Sequence, residues 1–588
     1  MAYVAIAGIA PQYENYPNWW LKAYEQGTTT PLAMALDADG VTTVSKLVLD
    51  LNGFINTDGN AKVIPYLDEA YDLWLIPTEA DANANDLTNA VQVADNIDNF
   101  IRTVSFANYD DLRAVGNASL VDGQVITVTD EGIAGQGVLR NVVGHGVTDN
   151  GGTIIVIDAN WYWERIYSGA VHAKWFGLHL DGSNVTANNT ILESIKDYVI
   201  SFPIGARPSI ILPEGNIAFS VSPNWGHSDI SIEGQGSGST RLSYSGAGSA
   251  VEVDPSAFDV SFRYGIKLQG FLIDCGSNGT AGVYFENISH TLVKDVFAIN
   301  GGATCVHFDN RLAVLCHFET CGSPISRYTP SSIHQESVRL GTSPSRGLPS
   351  TANVFTNFIA EGASLAGIRL LDSTNNTFIG GTSESNTGRG VLISSTSRNN
   401  TFVGVDMEAN TLVDLRDEGQ STKLDNCFCT SYAGVEIAGL SKGTKLVGGI
   451  YHDITVESGA KAVVIRDLQI NFHGSGGTIS DLGNATQIKQ IIDRATGLLT
   501  YFHRARQTVA VTASPMVFTN NTGEDVQLLI KGGTITQVLW GRGGDYTPIG
   551  LVADGTPVNG LFPMKPEDSI TISYTAAPSI VNYIPMGV

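Results

Sequence analysis

The sequence predicts an all-β fold: a right-handed parallel β-helix, or solenoid, with a separate N-terminal module and a C-terminal β-sandwich-like domain. Three observations predict it. Between residues 205 and 473 a short pattern recurs, most clearly as Asn353-Val354-Phe355, Asn376-Thr377-Phe378, Asn400-Thr401-Phe402, Thr422-Lys423-Leu424 and Thr444-Lys445-Leu446, at spacings of 23, 24, 22 and 22. Upstream, Leu268 and Leu292 keep the beat, 24 apart. Each unit carries short alternating strands (residues 367–371, 390–393 and 434–438) between Gly, Ser and Asn turns. Finally, 64 Gly among 588 residues, with only 16% charged, suits an extended architecture with many turns. A period of this length built from short strands means stacked coils. Leucine-rich repeats share the length but need a fixed Leu/Asn frame, which is absent.

The elements divide the chain in order. Residues 1–100 are rich in aromatics and turns, with strands expected at 19–24 and 71–76 and a turn at Gln26-Gly27-Thr28. Residues 79–99, rich in Ala, Asp and Asn, read as a connector ending in a helix-like spacing of Leu87, Val91, Val93 and Ile97. Residues 101–178 form a neck: a short helix capped by Asn or Asp at 108–113, then strands at 123–128 and 153–157. The solenoid takes 179–475 and opens with a helix over 191–200 and a first strand at 210–216. The interval from Val314 to Asn353 is too long for one coil, so residues 323–350, rich in Ser, Pro and Arg, read as an inserted loop. Gly474-Ser475-Gly476-Gly477 is a hinge, 476–506 a transition, and 507–588 a strand-rich closing domain over the solenoid's open end.

WWLKAYEQGTTTPLAMALDADG (19–40) with IPYLDEAYDLWLIPTEADANAND (64–86) is similar to the N-terminal particle-binding modules of podovirus tail fibres and tailspikes. Residues 150–153, 161–165 and 171–177 resemble the neck before the β-helix in many tailspikes, and the repeat resembles the pectate-lyase-like superfamily. Where such proteins carry an Asp pair before the leading helix, this chain has Asn188-Asn189. The resemblance implies a bacteriophage tailspike: a homotrimer, attached to phage tail proteins through residues 1–100, that binds a bacterial surface polysaccharide (capsule, O-antigen or exopolysaccharide) and depolymerises it at the cell surface. A non-catalytic glycan-binding fibre and a polysaccharide lyase are the alternatives on the same fold. A free secreted pectinase-like enzyme is disfavoured by the start of the chain, where residues 2–11 are apolar but lack the basic flank of a signal peptide.

Composition narrows the partners. A net charge of −24 leaves no basic face for nucleic acid. No 18-residue apolar stretch exists for membrane insertion, so synthesis in a host cytoplasm and residence in the virion are expected. The six cysteines (275, 305, 316, 321, 427, 429) form no C-x-x-C pair and sit among apolar residues, as small buried thiols do, so neither metal nor cofactor is expected.

The repeat has a chemical consequence. Six residues after the aligned Phe of three successive coils stand Glu361, Glu384 and Glu408, with Asp406 two residues before Glu408. Asp274 falls in the same column, followed on later coils by Thr430 and His452. Coils about 4.8 Å apart make neighbouring glutamates repel by about 3.5 kcal/mol at an effective dielectric of 20, enough to raise one pKa by up to about 2.5. Glycoside hydrolysis needs one carboxyl protonated and another ionised, so these four are the candidate catalytic residues; a solvated acidic column is the bland alternative. Arg369 and Arg389 are candidates for binding sugar acids, Trp225 beside His227 for stacking a sugar, and His452 for substrate contact. With Tyr451, His452 would also be the base of a lyase. No H-E-x-x-H, G-x-S-x-G elbow or Gly-Asp-Ser motif of SGNH esterases is present.

Overall fold

A computed structural model describes residues 4–5, 18–25, 28–36, 42–49, 55–56, 66–67, 71–97, 104–115, 120–255, 261–328, 333–432, 434–470, 477–483, 486–494, 499–500, 507–511, 513–521, 525–542, 545–550 and 559–585. The chain separates into two compact units, residues 1–168 with 174–177, and residues 169–173 with 178–588.

In the first unit, Trp20–Glu25 pairs antiparallel with Tyr71–Ile76 and Leu47–Leu49, over a core of Leu21, Met34, Leu47, Leu73 and Leu75. The expected turn residues 26–27 lie outside the described residues. Glu79–Ala84 is a helix capped by Thr78, and Val91–Ile97 is a strand beside Tyr71–Ile76. The helix-like spacing expected there is therefore corrected: the segment is an edge strand whose register against Tyr71–Ile76 shifts between Gln92 and Ala94 and again before Ile97, and its β-branched residues favour strand. Tyr109–Arg113 forms the expected short helix, its N-terminus capped by the Asn108 side chain. Behind it, a five-stranded sheet buries Trp161 and Trp163.

The second unit is a parallel β-helix. Each coil gives two strands to one long sheet and one to a second. Val354–Thr356 and Ile359–Glu361 lead to Ala366–Leu370, and on the next coil Thr377–Ile379 and Thr382–Glu384 lead to Arg389–Ile393. The register is the one the repeat predicts: Phe355 stands over Phe378, then Phe402, Leu424 and Leu446. Upstream, Leu268 pairs with Val293 rather than Leu292, one residue from the expected partner.

Two buried ladders hold this register. The rings of Phe318, Phe355, Phe378 and Phe402 stack with centroids 4.4, 4.5 and 4.9 Å apart and planes within 9° of parallel. Two residues before Phe378, the Asn376 side-chain oxygen accepts from the backbone N and Nδ2 of Asn353 (3.0 and 2.9 Å), and Asn400 repeats the contact on Asn376 (3.1 and 3.0 Å). Ala352, Asn375 and Asn399 take the left-handed conformation (φ 57°, 56° and 54°) just before each ladder residue, which turns the chain sharply into the next strand.

The leading helix spans Val185–Ile200, longer than expected. Fully buried Asn188 accepts from His179 N and donates to the carbonyls of His179 and Ala218, and Asn189 accepts from the backbone N of Ser220 and Val221. The Asn188 amide supplies both a donor and an acceptor, which an ionised Asp would not.

Two boundaries move. Residues 323–350 are not one inserted loop: Glu336–Gly341 is a regular strand of the second sheet, paired with Val306–Val314 and Ala366–Leu370. Two excursions flank it. The coils also continue past 475, because Gln487–Lys489 and Ile491–Asp493 still pair in parallel with the preceding coil. Beyond them, strands between residues 507 and 585 make two four-stranded antiparallel sheets around one cluster that includes Val526, Leu528, Ile530, Ile535 and Ile570, a β-sandwich. No helix among the described residues is long and apolar enough to cross a membrane.

Replacing Asn376 by Ala leaves Asn353 N and Nδ2 buried without their acceptor, at a cost of about 1–3 kcal/mol per unsatisfied group. Thermal unfolding should show a clear loss for Asn376→Ala and little change for Arg398→Ala, an exposed side chain on ordinary backbone; equal effects would contradict the ladder's role.

Candidate active site

The acidic file is built by register. Glu361 and Glu384 are direct partners on adjacent strands. Thr382 pairs with Asp406, which puts Glu408 over Glu384, and Met407 with Cys429, which puts Thr430 over Glu408. Cys429 with Tyr451 then places His452 next. Each glutamate stands at a corner where the chain leaves the strand through a left-handed residue: Gly362, Ser385 or Ala409 (φ 74°, 54° and 55°). Beyond two of these corners sit the buried amides of Asn386 and Asn410, linked at 2.8 Å in a second ladder. The corner is thus pinned from inside.

The three glutamates differ in surroundings. Glu361 is 3% exposed, and both of its oxygens accept from Ser326, from the backbone N at 2.8 Å and the hydroxyl at 3.0 Å. Ser326 lies on the first excursion of the long coil. Glu384 is half-buried; burial first, then the charges of Glu361, Glu408 and Asp406, push its pKa up to about 7. Burial, then Glu408, raises Asp406 as well. Glu408 accepts from Thr430 Oγ1 at 3.3 Å. The file therefore holds a carboxyl of raised pKa about 4.8 Å in strand spacing from two other acidic side chains.

Asp274 belongs to the same column but is separated from Glu361 by Ile299 and Pro324, and it is bound to Arg241 at 2.5 Å and Asn300 at 2.7 Å. It is not part of the cluster.

The expected substrate contacts fare differently. Arg369 is tied to fully buried Glu336 on the second sheet at 2.6 Å. It pairs with Leu392, not Arg389, so the two arginines share no column; neither has a described contact with the glutamates. Trp225 is corrected: at 5% exposure it packs against Leu192, Ile210, Phe219 and Phe271 around an internal cavity and has no face for a sugar. His452 does stand in the file, but it is 2% exposed, with the Tyr432 ring 4.9 Å away. Tyr451 is fully buried, and burial raises its hydroxyl further from use as a base.

Sequence reasoning missed Ser326, Phe428 and Tyr432. Phe428 stands directly over Asp406, and the file's Thr430 lies between it and Tyr432. Their signal was present, aromatics flanking a file position at 428 and 432, but a period cannot say which rings are exposed.

One trio of metal-ligating residue types among the described residues is close-set: Cys275, Cys305 and His307, all buried. Both His307 nitrogens already have partners, Ser323 Oγ at 2.7 Å and the Asn300 carbonyl at 2.5 Å, and the His334 ring stacks on it at 3.8 Å. The donor set fits a satisfied core cluster rather than a metal site. All six cysteines are free and buried.

No family model and no curated protein matches the chain. Solved structures do. The tailspike protein of Acinetobacter phage vB_ApiP_P1 superposes with a TM-score of 0.45 at 12% identity, over 82% of this chain and 97% of that one. Tailspike gp49 of Acinetobacter baumannii bacteriophage Fri1, a capsular polysaccharide depolymerase, gives 0.39 at 12%, over 82% and 97%. The A-module of mannuronan C-5 epimerase AlgE4 from Azotobacter vinelandii gives 0.33 at 14%, over 55% and 97%. All three scores lie below 0.5, so those activities belong to those proteins.

Glu384 generates a pH test. Its folded pKa lies above the ordinary 4.5, so the folded chain holds the extra proton. The stabilisation is fully present below about 4.5 and is lost as pH rises through about 7; the raised Asp406 acts in the same direction. Melting temperatures of Glu384→Gln and wild type should diverge in the variant's favour between pH 5 and pH 8. A difference independent of pH would contradict the assignment.

Proposed function

We propose that this chain is a phage tailspike that binds a bacterial surface polysaccharide and depolymerises it by glycoside hydrolysis. The observation that carries the reading is Glu384, a carboxyl pushed up to about 7 beside acidic neighbours in one file. Such a group still carries its proton near neutral pH and can donate it to a leaving glycosidic oxygen as general acid. Glu408, on the next coil, or Asp406 beside it, then serves as the ionised partner. Adjacent-coil spacing of about 4.8 Å is close to the about 5–5.5 Å between carboxyls of retaining enzymes, which favours a nucleophilic role for that partner over activation of a distant water. Glu361, bound on both oxygens by Ser326, is a positioning residue whose charge keeps the proton on Glu384.

Hydrolysis is favoured over elimination because Tyr451 and His452, the pair a lyase would use, are both buried. The binding-only fibre is separated by experiment. Incubated with the capsular or O-antigen polysaccharide of a susceptible host, wild type should release oligosaccharides. Glu384→Gln should lose on the order of 10²- to 10⁴-fold in rate with binding retained. Binding without any release by wild type would replace the enzyme with a receptor-binding fibre.

The same reading carries a homotrimer joined to the virion through residues 1–100. Sedimentation should give about three chains of 62.5 kDa, and a chain beginning at residue 101 should still bind glycan but no longer attach to phage particles. A monomer at micromolar concentration, or loss of glycan binding on truncation, would contradict it.

A further inference from the structure

The acidic file does not end at Glu408. One coil on, its position is taken by Thr430, flanked two residues to either side by Phe428 and Tyr432. Phe428 is the direct neighbour of Asp406 across the strands, yet 40% of it faces solvent. Tyr432 is 71% exposed and lies against the ring of His452, centroids 4.9 Å apart. Elsewhere in this sheet the aromatic rings of the register ladder point inward and are buried. An aromatic ring left open beside a half-buried carboxylate does nothing for the core. It does offer a flat apolar face next to hydrogen-bonding groups, the combination a pyranose ring presents in return: an apolar C–H face and polar edges.

We infer that Phe428 and Tyr432 form a stacking platform for a pyranose ring of the substrate, one coil beyond the bond that the file acts on. This rests on the reading of Glu384 and its partner as the catalytic carboxyls. It sets the direction of the substrate: a glycan lying along the stacked coils, one residue over Thr430 between the two aromatic rings and the next at Glu408 and Glu384. The sugar over the platform is one whose ring has an unsubstituted C–H face, and that requirement makes the platform a specificity element. His452 beneath the Tyr432 ring holds that ring in place; it is a positioning residue.

The test uses the full chain and an array of purified bacterial capsular and O-antigen polysaccharides. Wild type and Glu384→Gln are read for binding, and wild type for released oligosaccharide. Phe428→Leu and Tyr432→Leu keep apolar bulk but remove the flat ring. On each polysaccharide held by Glu384→Gln, adding either Leu change should weaken binding about tenfold, equivalent to about 1.4 kcal/mol. In the cleaving background the same changes should raise KM by a similar factor while kcat stays within about twofold. Tyr432→Phe and Phe428→Tyr should restore binding. Binding by the Leu variants equal to that of their parents overturns the platform and leaves the carboxylate reading standing. Binding that depends on the rings without any cleavage by wild type overturns the carboxylate reading and leaves the platform standing. An array on which nothing is held overturns both.

Discussion

In-register stacking of one coil on the next is the constraint from which the rest follows. Parallel strands repeat every side chain at a spacing of about 4.8 Å, so a residue type chosen at one position meets its own kind above and below. Inside the solenoid the chain exploits this. Phe318, Phe355, Phe378 and Phe402 stack face to face, and Asn353, Asn376 and Asn400 satisfy one another's amides. A slip of one residue would break both ladders together and turn the strands inside out.

Outside the solenoid the same repetition sets like charges side by side. Glu361, Glu384 and Glu408 cannot move apart, because Asn386 and Asn410 pin the corners behind two of them. The repulsion shows in the carboxyls rather than in displacement: Ser326 holds both Glu361 oxygens, and the Glu384 pKa is pushed up to about 7. Local instability of this kind is tolerated because the buried ladders carry the fold, and it leaves Glu384 with a raised pKa.

The solenoid and its register were legible in the sequence because both are periodic, and the file of glutamates was read from five aligned tripeptides. What escaped was aperiodic. Ser326 lies on an excursion that obeys no repeat, so its two hydrogen bonds to Glu361 had no signal. The strand Glu336–Gly341 was hidden by the flanking Ser- and Pro-rich excursions, and with it the carboxylate that takes up Arg369. Trp225 looked like a platform because residue type suggests stacking, while burial under the leading helix depends on tertiary packing. Phe428 and Tyr432 were passed over for the converse reason: within a solenoid an aromatic is usually a core residue, and only the outward turn of these two makes them available.

The register and the charge it concentrates meet in one quantity, the titration of the Glu384 carboxyl. Carbon-13 NMR of selectively labelled glutamate, assigned by Glu384→Gln, should place that titration near 7 in the wild-type chain. In Glu361→Gln it should fall toward the ordinary carboxylate value, because a stacked neighbour's charge has been removed. A wild-type Glu384 that titrates near 4.5, unmoved by the Glu361 substitution, would mean that the carboxyls do not share one file and would contradict the assignment of the site.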